Sequence, residues 1–254
     1  VILLFNMNQL SAVFWDVDGT IADTELCGHR VAFNLAFKDF DLNWYWDEKK
    51  YLELLKISGG LNRIIHYRDI INSALSLDDC AELQSKKSIY YKQLVQSGKI
   101  KIRDGVVRLM EELATEEIDQ YIVTTSGRLS LNPFLNSTLK DYLDVFSGII
   151  TYEDVAKHKP FPDAYNLAVH LSKKPNRNCI AIEDSSIGVQ AARSANINCL
   201  LTLPPWQYNF DEIPKNANAC VNSLGKENGQ TKLFYGKPLN NKNVDYAYLS
   251  DIIN

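Results

Sequence analysis

The sequence predicts an α/β protein built on a doubly wound parallel sheet, with a second, wholly helical domain inserted into it. One pattern is a series of short apolar runs that each end abruptly in small or acidic residues: "AVFWDVD" at 12–18, "YIVTTS" at 121–126, "GIITYED" at 148–154, "CIAIEDS" at 179–185 and "NCLLTLP" at 198–204. Their length and β-branched content, without clean alternation, suit strands buried on both faces, as parallel strands between helical layers are. The second pattern is what lies between them. Helical periodicity at 105–117, about 130–143, 162–172 and 187–196 makes strand and helix alternate.

Between Cys27 and about Ile102 that alternation stops. Helical candidates at 28–40, 47–56, 60–75 and 78–97 follow one another, separated by "DLNW", "SGG" and "LSLDD", with no strand among them. This places a helical cap at 27–102 and a core at 1–26 and 103–254. Beyond Pro204 the chain is richer in Asn, Lys and Gly, and the expectation there is a last strand at 219–224, a surface loop at 226–243 and a closing helix at 245–253.

Composition narrows the function. With 254 residues, 46% of them hydrophobic, the chain has material for a large packed core. A net charge of -4 gives no electrostatic reason to expect nucleic acid or an anionic membrane as partner, so any anion binding is local. The five cysteines are odd in number and show no CxxC spacing, which points to a reducing compartment. The opening "VILLFNM" is short and lacks a basic start, a poor signal peptide. No later segment reaches the roughly 18 apolar residues of a membrane span. The expectation is a soluble protein of the cytoplasm, or of the plastid stroma in a photosynthetic eukaryote, with nothing demanding more than a monomer.

In an open parallel sheet, ligands bind outside the carboxyl ends of the strands. Four runs deliver polar groups there: Asp16 and Asp18 from the first, Thr125 and Ser126 from the second, Lys159 after the third, Glu183 and Asp184 from the fourth. Each has an ordinary alternative. Asp18-Gly19 is a turn signal, Thr125 with Ser126 or Glu183 with Asp184 can cap the following helix, and Lys159 can be a solvated loop lysine. Taken together they mean more, because carboxylates crowded where a buried strand ends repel one another and resist desolvation. Hard oxygen donors at one point favour Mg²⁺, which offsets that repulsion.

The motifs "DVDGT", "VTTSG", "KHKPFPD" and "IEDSSIGVQAA", in this order, closely resemble those of the haloacid dehalogenase superfamily of phosphotransferring enzymes, with its Rossmann-like core. The resemblance implies that Asp16 is the nucleophile, forming an aspartyl phosphate, and that Asp18 is the acid and base. It implies Mg²⁺ on the Asp16 carboxylate, the Asp18 backbone carbonyl and Asp184, with Glu183 acting through a metal-bound water. Thr125, the Ser126 backbone N–H and Lys159 would surround the phosphoryl oxygens. The place of the insertion resembles the caps of the β-phosphoglucomutase-like branch. Within it, "HRVAFNLAF" and "LNWYWDEKKYLELLKISGGLNRIIHY" look like CbbY-type phosphatases, which remove one phosphate from xylulose 1,5-bisphosphate.

A sugar bisphosphate needs a second cationic pocket, and the resemblance offers Gly59, Gly60 and Arg63, with Lys56 and Arg128 as further candidates. Asp23 and Glu25 would meet sugar hydroxyls, and His29 would orient the substrate or Asp18. Trp44, Tyr45 and Trp46 read as cap core rather than a sugar-stacking platform. The cap is expected to close over bound sugar phosphate about hinges near 22–27 and 99–105. The alternatives are a phosphomutase of the same branch, a general sugar-monophosphate phosphatase and a sugar-phosphate-binding module without catalysis.

Overall fold

Strand β1 (Ala12–Trp15) has four consecutive buried side chains, which only a strand covered on both faces can have. The computed structural model describes residues 9–57, 59–206, 213–225 and 229–254. The opening apolar run, Ser58 of the "KISGG" stretch and part of the 226–243 tail lie outside them. Along the chain follow α1 (Arg30–Asp39), α2 (Glu48–Leu54), α3 (Gly60–Ile70), α4 (Leu77–Gln96), α5 (Val106–Thr115), β2 (Asp119–Val123), α6 (Arg128–Leu135), β3 (Phe146–Ile150), α7 (Asp163–Ser172), β4 (Cys179–Glu183), α8 (Ser186–Ser194), β5 (Asn198–Thr202), β6 (Ala219–Val221), β7 (Leu233–Tyr235) and α9 (Tyr246–Ile252).

Two units divide these elements. One takes the chain up to Asp23, Ile102–Arg128 and Leu139–Asn254; the other takes Thr24–Lys101 and Leu129–Thr138. Residues 129–138, expected with the core, thus group with the helices.

In the first unit a seven-stranded sheet runs β3-β2-β1-β4-β5-β6-β7, parallel except for the antiparallel β6–β7 pair. The sheet is the doubly wound α/β core expected. Because β1 lies between β2 and β4, the carboxyl ends of these three strands are neighbours, at the point where strand order reverses. Phe14 of β1 packs edge-on to Tyr121 of β2 at 5.8 Å between ring centroids and against Tyr165 of α7 at 6.3 Å. Arg103 ties the loops at the strand ends together, donating to the carbonyls of Leu203 at 2.6 Å, Asn222 at 3.3 Å and Gly19.

Two expectations for the second half of the chain need correction. The strand at 219–221 is not the last, because Leu233–Tyr235, inside the stretch read as a surface loop, pairs with it as β7. The single helix expected at about 130–143 is α6, with Pro133 inside it, followed by a separate 3₁₀ turn at Lys140–Val145. Proline lacks the N–H that a continuous helix uses.

In the helical unit, α4 is started by a capping box in which the Ser76 side chain accepts from Asp79 N and the Asp79 carboxylate accepts from Ser76 N. A five-residue π turn, Glu25–His29, leads into α1. Trp46 is fully buried against Phe33 at 4.7 Å and Phe37 at 4.8 Å, and its backbone N–H and carbonyl are both held by the Asn34 side chain at 2.8 Å. Trp44 joins this aromatic cluster through Phe37 and Tyr67. Tyr45 does not belong to the core as expected, since it is 67% exposed. Trp46→Ala is accordingly expected to cost about 3–5 kcal/mol of stability and Tyr45→Ala to change it by less than about 0.5 kcal/mol; denaturant unfolding followed by circular dichroism would measure both.

Candidate active site

The first acidic pair sits where β1 gives way to a tight loop. Asp16 N donates to Ile182 O of β4 at 3.1 Å, so the nucleophile candidate is still held by the sheet. Val17 O then accepts from the N–H groups of Thr20, Ile21 and Ala22, folding the chain back. Gly19 makes that turn at φ +87°, and a Cβ there would stand 2.1 Å from Asp184 Oδ2, so glycine is required both by conformation and by the closeness of the second carboxylate.

At the end of β4, Glu183 is fully buried and Asp184 half-buried. They do not cap α8. Ser185 does, its hydroxyl accepting from Gly188 N at 3.2 Å, which leaves both carboxylates for other work. Gly188 is small for a reason: a Cβ would come 1.8 Å from Glu183 Oε2.

Lys159 reaches into this group with a side chain only 4% exposed. Its ammonium donates to Asp16 Oδ1 at 2.8 Å, Glu183 Oε1 at 2.6 Å and the Val123 carbonyl at the end of β2 at 2.9 Å. An ammonium has three protons, and here each has an acceptor. Lys159 is thus a buried bridge between two carboxylates and the sheet, not a solvated loop residue.

Electrostatics at the site are those of crowded acids. Burial pushes the Asp16 carboxyl up from 3.8 to about 7, against the pull of Lys159 and with the help of Glu183. Desolvation, then the charges of Asp16 and Glu183, hold Asp184 well above the ordinary carboxylate range. Burial alone would lower Lys159, but Asp16 and Glu183 outweigh it and raise the ammonium's pKa, so it stays charged. Tyr165, fully buried, donates its phenol O–H to Glu183 Oε1, and burial and that carboxylate keep the phenol protonated.

These residues fit a divalent cation. Asp16, Glu183 and Asp184 offer oxygens within 4.8 Å of one another, and Glu183 Oε2 is buried with no hydrogen-bond partner. Hard oxygen donors, an orphaned carboxylate oxygen and acids short of positive charge are what Mg²⁺ coordination relieves.

Other expected site residues stand as follows. The Ser126 hydroxyl donates to Asp18 Oδ2, whereas its backbone N–H, expected to face phosphoryl oxygens, donates to Thr124 Oγ1 at 3.0 Å. Thr124 is buried at the end of β2, and Thr125 is exposed. Arg128 Nη2 donates to both carboxylate oxygens of Asp154, at 2.6 and 2.8 Å, in an ion pair on a half-exposed side chain. Asp23, half-buried, lies near the Arg103 charge.

Within the helical unit, Glu25 accepts from the Tyr51 hydroxyl, Arg63 Nε donates to the Ile57 carbonyl at 2.8 Å, and Arg63 Nη1 lies 3.4 Å from Tyr51 Oη. Gly59 turns at φ +87° ahead of α3. At Gly60 a Cβ would stand 2.5 Å from Gln84 Oε1, the end of a side chain packed beside it. His29 is buried, stacked on Tyr91 at 4.1 Å, with Nδ1 2.9 Å from Lys87 Nζ. Sequence reasoning missed Tyr165, Gly188 and Thr124, although all three lie in or beside the quoted motifs.

A carboxylate aimed out of a strand end beside a fixed ammonium suits attack on a phosphate ester, and the chain is an enzyme of the phosphatase class. The pattern of haloacid dehalogenase-like hydrolases matches residues 13–202, and the chain belongs to that family. It is 34% identical to Protein CbbY of Rhodobacter capsulatus over 79% of this chain and 87% of that protein. It is 32% identical to a CBBY-like protein of Arabidopsis thaliana over 85% of this chain and 69% of that one. Among solved structures, a CbbY variant from Rhodobacter sphaeroides in complex with xylulose-(1,5)bisphosphate matches with a TM-score of 0.74 at 28% identity, covering 86% of this chain and 98% of that chain. No helix among the described residues is long and apolar enough to cross a membrane.

The raised acids make a prediction about stability. The folded protein holds the Asp16 proton more tightly than the unfolded chain does, so the metal-free protein loses stability as pH rises from 3.8 toward about 7. Thermal unfolding in chelator is expected to show Tm falling from pH 5 to pH 8, with Asp16→Asn flattening the fall. An identical pH dependence in the two proteins would contradict the raised carboxyl.

Proposed function

We propose that this protein is a Mg²⁺-dependent sugar-phosphate phosphatase that works through an aspartyl phosphate and takes one phosphate from xylulose 1,5-bisphosphate, leaving xylulose 5-phosphate. The observation that carries the chemistry is the Asp16–Lys159–Glu183 bridge, with Asp184 beside it. The substrate reading is supported by the likeness to CbbY bound to xylulose-(1,5)bisphosphate.

An Asp16 oxygen attacks phosphorus and the bond from phosphorus to the sugar oxygen breaks, while Asp18 gives its proton to the departing oxygen. Water then attacks phosphorus, Asp18 takes its proton, and the bond to Asp16 breaks to release inorganic phosphate and restore the carboxylate. The Ser126 hydroxyl orients Asp18 for both transfers. Lys159 holds Asp16 in place and supplies positive charge beside the phosphoryl oxygens. A divalent cation, held by Asp16 and Asp184 with the Asp18 carbonyl and with Glu183 behind it, would supply charge neutralisation of the phosphate when bound. Thr125 would contribute its backbone and hydroxyl to the phosphoryl oxygens.

For the second phosphate, Arg63 is the reading's candidate, with Gly59 beside it: the Ile57 carbonyl fixes Nε and so orients the rest of the guanidinium. Lys56 would add charge, and Asp23, Glu25 and His29 would serve the sugar and its orientation.

Phosphate release across a panel of pentulose and hexose phosphates tests the reading. Xylulose 1,5-bisphosphate is expected to have the highest kcat/KM, with inorganic phosphate released stoichiometrically and no isomeric sugar phosphate formed. Accumulation of an isomer would instead make the protein a phosphomutase. Asp16→Asn is expected to lower turnover by about four orders of magnitude or more, and undiminished turnover would remove Asp16 as nucleophile. Arg63→Met is expected to raise KM for the bisphosphate about tenfold, worth about 1.4 kcal/mol, with a smaller effect on monophosphates.

A further inference from the structure

Tyr165 lies in the first turn of α7, six residues after Lys159, and it touches two residues of the site. Its phenol donates to Glu183 Oε1, the same oxygen that accepts from Lys159 Nζ at 2.6 Å. Its ring centroid is 5.3 Å from Lys159 Nζ, close enough for the ring face to attract the ammonium. The side chain is fully buried, and the Phe14 ring of β1 packs against it.

The division of donors makes this contact consequential. Lys159 has three protons, spent on Asp16 Oδ1, the Val123 carbonyl and Glu183 Oε1. If the ammonium alone held Glu183, any shift of Lys159 toward Asp16 would loosen it. The Tyr165 O–H supplies an independent hold on Glu183. With Oε1 fixed by two donors and Gly188 leaving room for Oε2, the carboxylate has one orientation. Glu183 is one of the three acids whose carboxylate oxygens gather within 4.8 Å of one another and could hold a cation.

We propose that Tyr165 is a positioning residue of the metal site: its phenol fixes Glu183 in the orientation that the acidic trio presents to a divalent cation. The inference rests on reading the site as a Mg²⁺-dependent phosphatase. Residues that hydrogen-bond the groups around a metal set its affinity, and losing one costs about 10–100-fold. A residue that merely filled space would exert its effect through ring volume, which phenylalanine keeps.

The test is calorimetric titration of Mg²⁺ into the metal-free parent and Tyr165→Phe, without substrate, at fixed pH. Tyr165→Phe is expected to bind Mg²⁺ about 10–100-fold more weakly. In phosphate release, the half-saturating Mg²⁺ concentration is expected to rise by the same factor, with kcat largely recovered at saturating Mg²⁺. Equal Mg²⁺ affinity in the two proteins would overturn the proposal. If Tyr165→Phe does not fold, 3-fluorotyrosine at position 165 keeps ring and hydroxyl. Its fluorine-19 resonance is expected to shift along the Mg²⁺ titration with the calorimetric Kd, and a resonance indifferent to Mg²⁺ would overturn the proposal. A parent that binds Mg²⁺ but releases phosphate from no sugar phosphate would remove the functional reading alone, leaving the affinity comparison to decide on Tyr165. A parent that binds no Mg²⁺ would overturn both.

Discussion

The buried ammonium of Lys159 is the constraint around which the site is arranged. Asp16 and Glu183 come from adjacent strands, and their approach would be prohibitive in a dry environment without a cation between them. Lys159 supplies one positive charge to a group of three clustered carboxylates, and its third proton ties it to the end of β2. One charge does not balance three, and burial together with that shortfall raises the pKa of both Asp16 and Asp184. The same shortfall that makes the metal-free site an unfavourable place for carboxylates makes it a favourable one for a divalent cation.

The fold places these groups rather than merely containing them. Three neighbouring parallel strands end at one level, so side chains distant in sequence converge without long loops. Small local choices then spare the carboxylates. Ser185 satisfies the start of α8, Gly19 lets Asp184 approach the loop after β1, and Gly188 makes room for Glu183. Arg103 binds the loop carbonyls around the same edge, holding the Gly19 turn to the ends of the outer strands.

Much of this was legible in the sequence because burial on both faces leaves a plain signature. The strands from β1 to β5 appear as apolar runs, and the acidic and basic residues at their ends identify the reactive edge. β7 left no such trace: it is three residues long and half-buried, within a polar stretch. Which of Thr124 and Thr125 is buried depends on which way each side chain turns as the strand ends, which two identical neighbours cannot reveal. Arg128 is a similar case, since its partner Asp154 is 26 residues away and only the fold brings them together. Gly188 sits inside one quoted motif and Tyr165 just beyond another, but their contacts with Glu183 are encoded by no local pattern.

The claim that a divalent cation completes the charge balance around Lys159 is tested most directly by anomalous diffraction from crystals soaked in Mn²⁺ at neutral pH. The account predicts a strong peak within coordination distance of the Asp16 and Asp184 carboxylates. Mn²⁺ bound only elsewhere, with the three acids unchanged around Lys159, would contradict it.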